Sequence, residues 1–293
     1  MRSLGPSRSL LGESPLWSPD RAELYWLDLR DPALHTWSVE RGEFRIALEL
    51  EGPLGPLVAT ATPGVALTTD VTGLHALDLA TGRTRALGDF SSREEGVHAN
   101  DGKVDREGRL WVATADDEEA EPIGGLHLLA ASDIRIVGTR TAGGYAISNG
   151  PAFALDGSEV YFDDTDRRRV LAFPATGGRT LGEPRLVHEF SEDEGHPDGM
   201  TVDAEGHLWV ALFGGGRVVR LTLQGEIVRS FDVPAPNVTS LTFGGPDYET
   251  LFITTARKGM SEDELAAHPG AGGTYAVEPG VRGVPEGAWV HPV

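Results

Sequence analysis

The sequence predicts an all-β protein, a six-bladed β-propeller, and three observations carry that expectation. Six short apolar segments each follow a turn-forming cluster: Leu24–Asp28, Val65–Thr69, Leu110–Thr114, Val160–Asp164, Leu208–Leu212 and Leu251–Thr255. Polar residues leading three of them, Asn100, Asn149 and Asp198, follow one another at intervals of 49 residues, the mark of a repeated structural unit. Six such units fill 293 residues, and radial repetition of small antiparallel sheets buries them without long exposed edges.

The turns come first in each unit. Ser18-Pro19-Asp20, Thr62-Pro63-Gly64, Asp105-Arg106-Glu107-Gly108, Asp156-Gly157, Asp203-Ala204-Glu205-Gly206 and Gly245-Pro246-Asp247 supply the fixed or positive φ that hairpins require. A second alternating segment follows in most units: GLHALDLATG from Gly73, GLHLLAA from Gly125, RRVLAFPATGG from Arg168, GRVVRLTLQG from Gly216 and GTYAVEPG from Gly273. Each unit therefore reads as a meander of three or four strands. Trp26, Trp111 and Trp209 stand at equivalent positions and are expected in the core, while Asp28, Asp164 and Asp203 end strands or fill turns. One stretch, SEDELAAH at 261–268, reads as helix, with Ser261 as N-cap and Glu264 completing a capping box. The expected organisation is one domain over 1–293, monomeric, with its last blade completed from either terminus.

Composition narrows the partners. A net charge of −20 argues against nucleic acid, whose binding relies on neutralising phosphates, and against an anionic membrane surface. It is compatible with cations and neutral small molecules. The absence of cysteine excludes disulfides, thiolate metal sites and a Cys nucleophile. The N-terminus has no signal-like apolar stretch, and no run approaches the roughly 18 apolar residues of a membrane span. A cytoplasmic protein is expected.

In a propeller the innermost strand of every blade lines the central channel, so equivalent leader residues converge although they are distant in sequence. The leaders are Glu13 in GESPLW, Asn100, Asn149 and Asp198; the other two blades offer Gly55 and Thr239 or Ser240. Asn-Gly and Asp-Gly are also plain hairpin signals, and Asp101 is expected to cap its turn. Two carboxylates brought together repel, and a divalent cation relieves that repulsion. All-oxygen donors suit calcium, magnesium or manganese, and carboxylates also hold zinc. A central metal site is predicted, with Glu13, Asn149 and Asp198 as ligands and water or substrate completing the shell.

The motifs GESPLW, NDGKVDREGRLWVAT, SNGPAFALDGSEVYF, PDGMTVDAEGHLWVA and LTFGGPDYETLFITTA occur in that order. Through them the chain resembles, over nearly its full length, the regucalcin and gluconolactonase family, also called the senescence marker protein family. The resemblance implies a six-bladed propeller with one divalent metal near the axis, and hydrolysis of sugar lactones or related cyclic esters; calcium is the ion expected first, with zinc, magnesium or manganese as alternatives. It implies Glu13, Asn149 and Asp198 as metal ligands, Asp198 also as general base, and Asn100 as a substrate contact. Glu118 falls where some members hold sugar hydroxyls with a Glu. His98 departs from the pattern: some members carry Arg there, and a five-donor fork is replaced by a smaller ring.

The expected activity is metal-dependent hydrolysis of an aldonolactone to the open-chain sugar acid, the metal polarising the carbonyl and Asp198 activating water. The alternatives are a phosphotriester hydrolase using the same site, a non-catalytic calcium-binding or regulatory propeller, and a protein-interaction propeller.

Overall fold

The computed structural model describes all residues except 51, 53, 71, 89–95, 133–134 and 177–179. Gly177-Gly178, read as the end of one strand segment, lie outside the described residues. The chain forms six antiparallel sheets, five of them each built on a consecutive stretch of sequence, and is a six-bladed β-propeller. Among the described residues no helix is long and apolar enough to cross a membrane.

The sheets fall into two compact units. The first comprises Met1–Pro53 and Phe190–Pro285. Its sheets are Gly12–Ser18, Glu23–Asp28, Ala33–Ser38 and Glu43–Glu49; His196–Val202, Leu208–Phe213, Arg217–Leu221 and Ile227–Asp232; and Asn237–Gly244, Thr250–Ala256, Tyr275–Val277 and Arg2–Ser3. The last of these settles how the ring is completed. Arg2 pairs with Ala276 and Ser3 with Tyr275, so the N-terminus supplies the outermost strand of the sixth sheet. The helix Glu262–Ala267 follows the strand Thr250–Ala256, and Ser261 accepts the Glu264 N–H as predicted.

The second unit comprises Leu54–Glu189 and the last eight residues, Glu286–Val293. Its sheets are Val58–Ala59, Val65–Asp70, Gly73–Asp78 and Thr84–Gly88; Val97–Val104, Leu110–Asp116, Gly124–Ser132 and Arg135–Tyr145; and Ser148–Phe153, Glu159–Asp164 and Arg169–Thr176 with two short partners, Thr180–Leu181 and Arg185–Glu189. The C-terminal segment adds to it. Trp289 donates its N–H to Ala59 and accepts from Ala61, and its indole packs with Val58, Leu67, Leu74, Val104 and Leu110. Lys103 Nζ lies 2.7 Å from Glu286 Oε1. The first strand of the neighbouring sheet is only two residues long, and the tail covers its open edge.

One local device recurs in both units. Asp105 and Asp203 each open an Asp-x-x-Gly turn that leads to a buried Trp three residues after the Gly. In the second unit Asp105 Oδ1 accepts the N–H groups of Glu107 and Arg109 at 2.9 and 3.0 Å. Its Oδ2 takes Trp111 Nε1 at 2.8 Å and Arg109 Nε at 2.7 Å. In the first unit Asp203 Oδ1 accepts Glu205 and His207 N–H, and Oδ2 takes Trp209 Nε1 and Arg220 Nε. Gly108 and Gly206 have φ of 79° and 82°, where a side chain would be strained. Burial works to raise the Asp203 pKa, but hydrogen bonds from Arg220, Trp209 and His207 outweigh it and the carboxyl ends below its ordinary range. The two carboxylates expected to fill turns thus also anchor the core tryptophans.

Because Trp289 is fully enclosed, truncating it leaves a cavity. Trp289→Ala is expected to cost about 3–5 kcal/mol, read as a lowered urea midpoint at unchanged slope; an unchanged midpoint would mean the tail does not dock in solution.

Candidate metal and substrate site

The polar leaders are not in turns. Asn100-Asp101-Gly102 lies inside the strand Val97–Val104, and what the sequence suggested as a turn is a break in register. Ala99 pairs with Thr114 and Asp101 with Ala113, leaving Asn100 as an extra residue. The same break recurs after Glu13, where Ser14-Pro15 stand opposite Trp26 alone. It recurs after Asn149, where Gly150-Pro151 face Phe162, at Asp198-Gly199 facing Ala211, and at Thr239. A bulge frees one residue from the ladder, bends the strand and re-aims a side chain. That is why residues poor at regular structure occupy these positions. The remaining sheet has Gly55 at the corresponding point, held by its N–H to Thr69 O.

Within the first unit, Glu13 and Asp198 are both largely buried. Glu13 Oε2 accepts the N–H of Ser14 at 3.2 Å. A Cβ on Gly199 would meet Ser240 Oγ, Cβ and Cα at 2.2–2.8 Å, so the residue after Asp198 has to be glycine for the two first strands to approach. Thr239 donates its hydroxyl to Gly12 O, tying the sixth sheet to the strand of Glu13.

Within the second unit the hydrogen bonds run in a forced order. Asn100 Nδ2 lies 3.0 Å from Ser148 O and 2.8 Å from Asn149 Oδ1. A backbone carbonyl only accepts, so the Asn100 atom facing it is the amide nitrogen. Both Asn100 N–H groups are then used, and its Oδ1 is the atom left for a ligand. Asn149 must accept with Oδ1, so its Nδ2 turns to Thr165 Oγ1 at 3.0 Å. Asn149 Oδ1 keeps a second lone pair. Asp101 holds the next residue in place: its Oδ2 accepts Gly150 N–H at 3.1 Å and its Oδ1 accepts Gly102 N–H at 2.7 Å. Burial, chiefly, raises the Asp101 pKa to about 6, against the lowering pull of Lys103.

His98 lies two residues before Asn100, and its Nδ1 is 3.0 Å from Asp117 Oδ1. Glu118 is exposed on the turn after Leu110–Asp116. The sequence reading missed Thr165, Asp117 and Asp163. Asp163 and Thr165 follow directly on the motif SNGPAFALDGSEVYF, but only the register, Ser148 to Asp164 and Asn149 to Asp163, brings them beside Asn149. Among the described residues neither carboxylate oxygen of Asp163 has a hydrogen-bond partner. Burial, then Asp101 and Asp164, push its pKa well above the usual carboxylate range.

Residues 11–257 match the family model described as SMP-30/Gluconolactonase/LRE-like region. The chain belongs to that family. Relatives match it over most of its length. A pentonolactonase of Haloferax volcanii is 32% identical over 94% of this chain and 93% of its own. A 6-deoxy-6-sulfogluconolactonase of Pseudomonas putida is 33% identical over 95% and 94%. A crystal structure described as regucalcin, a calcium-binding protein of Agrobacterium tumefaciens, superposes with a TM-score of 0.91 at 28% identity, over 99% of this chain and 97% of that one.

Among the described residues no group of three or more His, Asp or Glu side chains is arranged to hold a metal. The predicted donors differ in kind: two buried carboxylates in the first unit, Glu13 and Asp198, and in the second an amide oxygen with a second lone pair, Asn149 Oδ1. Each is a hard oxygen donor of the kind a hard divalent cation takes.

Asp163 gives a pH signature. Its folded pKa lies above the unfolded value of about 3.9, so its stabilising share is complete below about pH 4 and fades as pH rises toward the folded pKa. Asp163→Asn removes that titration while keeping the shape. Urea midpoints of variant and parent, measured with chelator from pH 4 to 8, are expected to diverge in the variant's favour as pH rises; parallel curves would show Asp163 ionised in the folded protein.

Proposed function

We propose that the protein hydrolyses the ring ester of a sugar lactone to the open-chain sugar acid, using one divalent cation, and that residues 1–293 act as one monomeric domain. The observation that carries this reading is the match, over most of both chains, to relatives named as lactonases. The recurrence of carboxylate and amide oxygens at the first-strand bulges supports it.

Glu13, Asn149 and Asp198 are the proposed ligands, calcium suiting oxygen donors best, with zinc, magnesium and manganese as alternatives. When bound, such a cation polarises the ring carbonyl and offsets the charge that develops on it. Asp198 takes a proton from the attacking water as general base. Asn100 receives a sugar hydroxyl through Oδ1, since both its N–H groups are engaged. His98 and Glu118 are proposed as further hydroxyl contacts. Water adds to the carbonyl carbon, the carbonyl-to-ring-oxygen bond breaks, and the ring oxygen leaves protonated. The new carboxyl ionises, so each turnover releases one proton.

A second reading rests on one observation: the Agrobacterium structure is described as a calcium-binding protein. A cation-binding protein without turnover would show metal affinity and no acid release.

Acid release from a panel of neutral aldonolactones, with chelated protein and after restoring each metal, tests both. Turnover that returns only with metal supports the proposal; tight binding without turnover favours the second reading. Asp198→Asn is expected to lower kcat/KM by at least about 100-fold, and near-parental rates would remove Asp198 as base. Thr165→Val deletes the acceptor that orients Asn149. It is expected to weaken metal binding by about 10–100-fold in calorimetry, with Thr165→Ser restoring it; unchanged affinity would show that Asn149 needs no such partner.

A further inference from the structure

His98 pairs with Asp117, and the proposed chemistry gives a role only to the histidine. The turn carrying Asp117 is stitched to the strand carrying His98: Asp117 N–H donates to Gly96 O at 2.8 Å. Asp116 secures the turn from the other side. Its Oδ2 accepts the N–H groups of Ala120 and Glu121 at 2.9 and 2.8 Å, and Glu119 N–H returns to Asp116 O at 3.0 Å. Asp117 is thus held opposite His98 by backbone, and its Oδ1 meets Nδ1 at 3.0 Å although both side chains remain open to solvent, at 38% and 54% exposure.

A carboxylate only accepts, so Nδ1 carries the hydrogen, and in its uncharged form the ring presents Nε2 as a bare acceptor. Asn100, two residues along the same strand, also offers only its oxygen. The turn itself contributes the exposed side chains of Asp117, Glu118 and Glu119. His98, Asn100 and this turn therefore offer acceptors and negative charge, where an Arg at position 98 would offer donors and positive charge.

We infer that Asp117 is a positioning residue that fixes His98 as a hydrogen-bond acceptor, so that this edge takes up hydroxyl groups and turns away lactones bearing a phosphate, sulfonate or carboxylate substituent. The inference rests on the lactone reading, and it separates this chain from the Pseudomonas relative whose name specifies a sulfonated substrate.

The test compares kcat/KM for a neutral aldonolactone and for its 6-phospho counterpart, on the alkaline side of neutrality where the uncharged imidazole is favoured. The metal-loaded parent is expected to favour the neutral lactone by at least about 100-fold, since like-charge contact costs several kcal/mol. Asp117→Ala is expected to cut that preference at least tenfold, through KM, and Asp117→Glu to restore it. Nitrogen-15 spectra of the His98 ring, assigned with His98→Gln, should show the Nδ1–H form in the parent and its loss in Asp117→Ala. Equal use of both lactones by the parent, or an unchanged preference in Asp117→Ala, overturns the inference while leaving the lactone reading intact. No turnover of any lactone sinks the lactone reading instead. The ring spectra then decide the pairing alone: a parental Nε2–H form overturns it, and an Nδ1–H form lost in Asp117→Ala upholds it.

Discussion

A strand that contains an extra residue cannot keep both its ladder and its side-chain alternation. Five of the first strands accept that break at one corresponding position, beside Glu13, Asn100, Asn149, Asp198 and Thr239. The break aims a polar side chain where an ordinary pleat would have put it elsewhere. Everything polar in the candidate site depends on those bulges being held. Gly199 holds one by close approach to Ser240, and Asp101 holds another through the Gly150 N–H. A bulge left to itself would slip its register, and a one-residue slip reverses every side chain beyond it.

The same sheets carry unusually well-partnered buried charge. Asp105 and Asp203 spend both oxygens on turn amides, an indole N–H and a guanidinium. Each carboxylate thereby joins the turn, the tryptophan that fills the core and an arginine into one rigid corner. Buried charge is tolerable when paired and hydrogen-bonded in this way. Asp163 is the counter-example in the second unit: among the described residues nothing donates to its carboxyl, and burial, chiefly, pushes its pKa well above the usual carboxylate range.

Donor and acceptor polarity travels through the second unit from groups that have no choice. Ser148 O can only accept, and that single fact orients Asn100, then Asn149, then the contact with Thr165. Asp117 can only accept, and that orients His98. Together they make the edge an acceptor surface. Such a surface suits hydroxyl-rich neutral molecules, in keeping with a chain whose net charge is −20.

The sequence by itself determined the six-fold repeat, the strand segments and the family, because turn residues and apolar alternation are local and act before any long-range contact. It also marked Glu13, Asn100, Asn149 and Asp198 as exceptional, through their spacing and motifs. It misjudged their local structure: Asn100-Asp101-Gly102 has the composition of a hairpin turn, yet it forms a bulge inside Val97–Val104. Only tertiary structure decided that, since a bulge is defined by the partner strand. The same holds for Thr165 beside Asn149, Asp117 beside His98, Arg2–Ser3 completing the sixth sheet and Trp289 closing the second. Each is a pairing between residues distant along the chain, or between side chains whose orientation a neighbour dictates, and composition carries no record of which neighbour that will be.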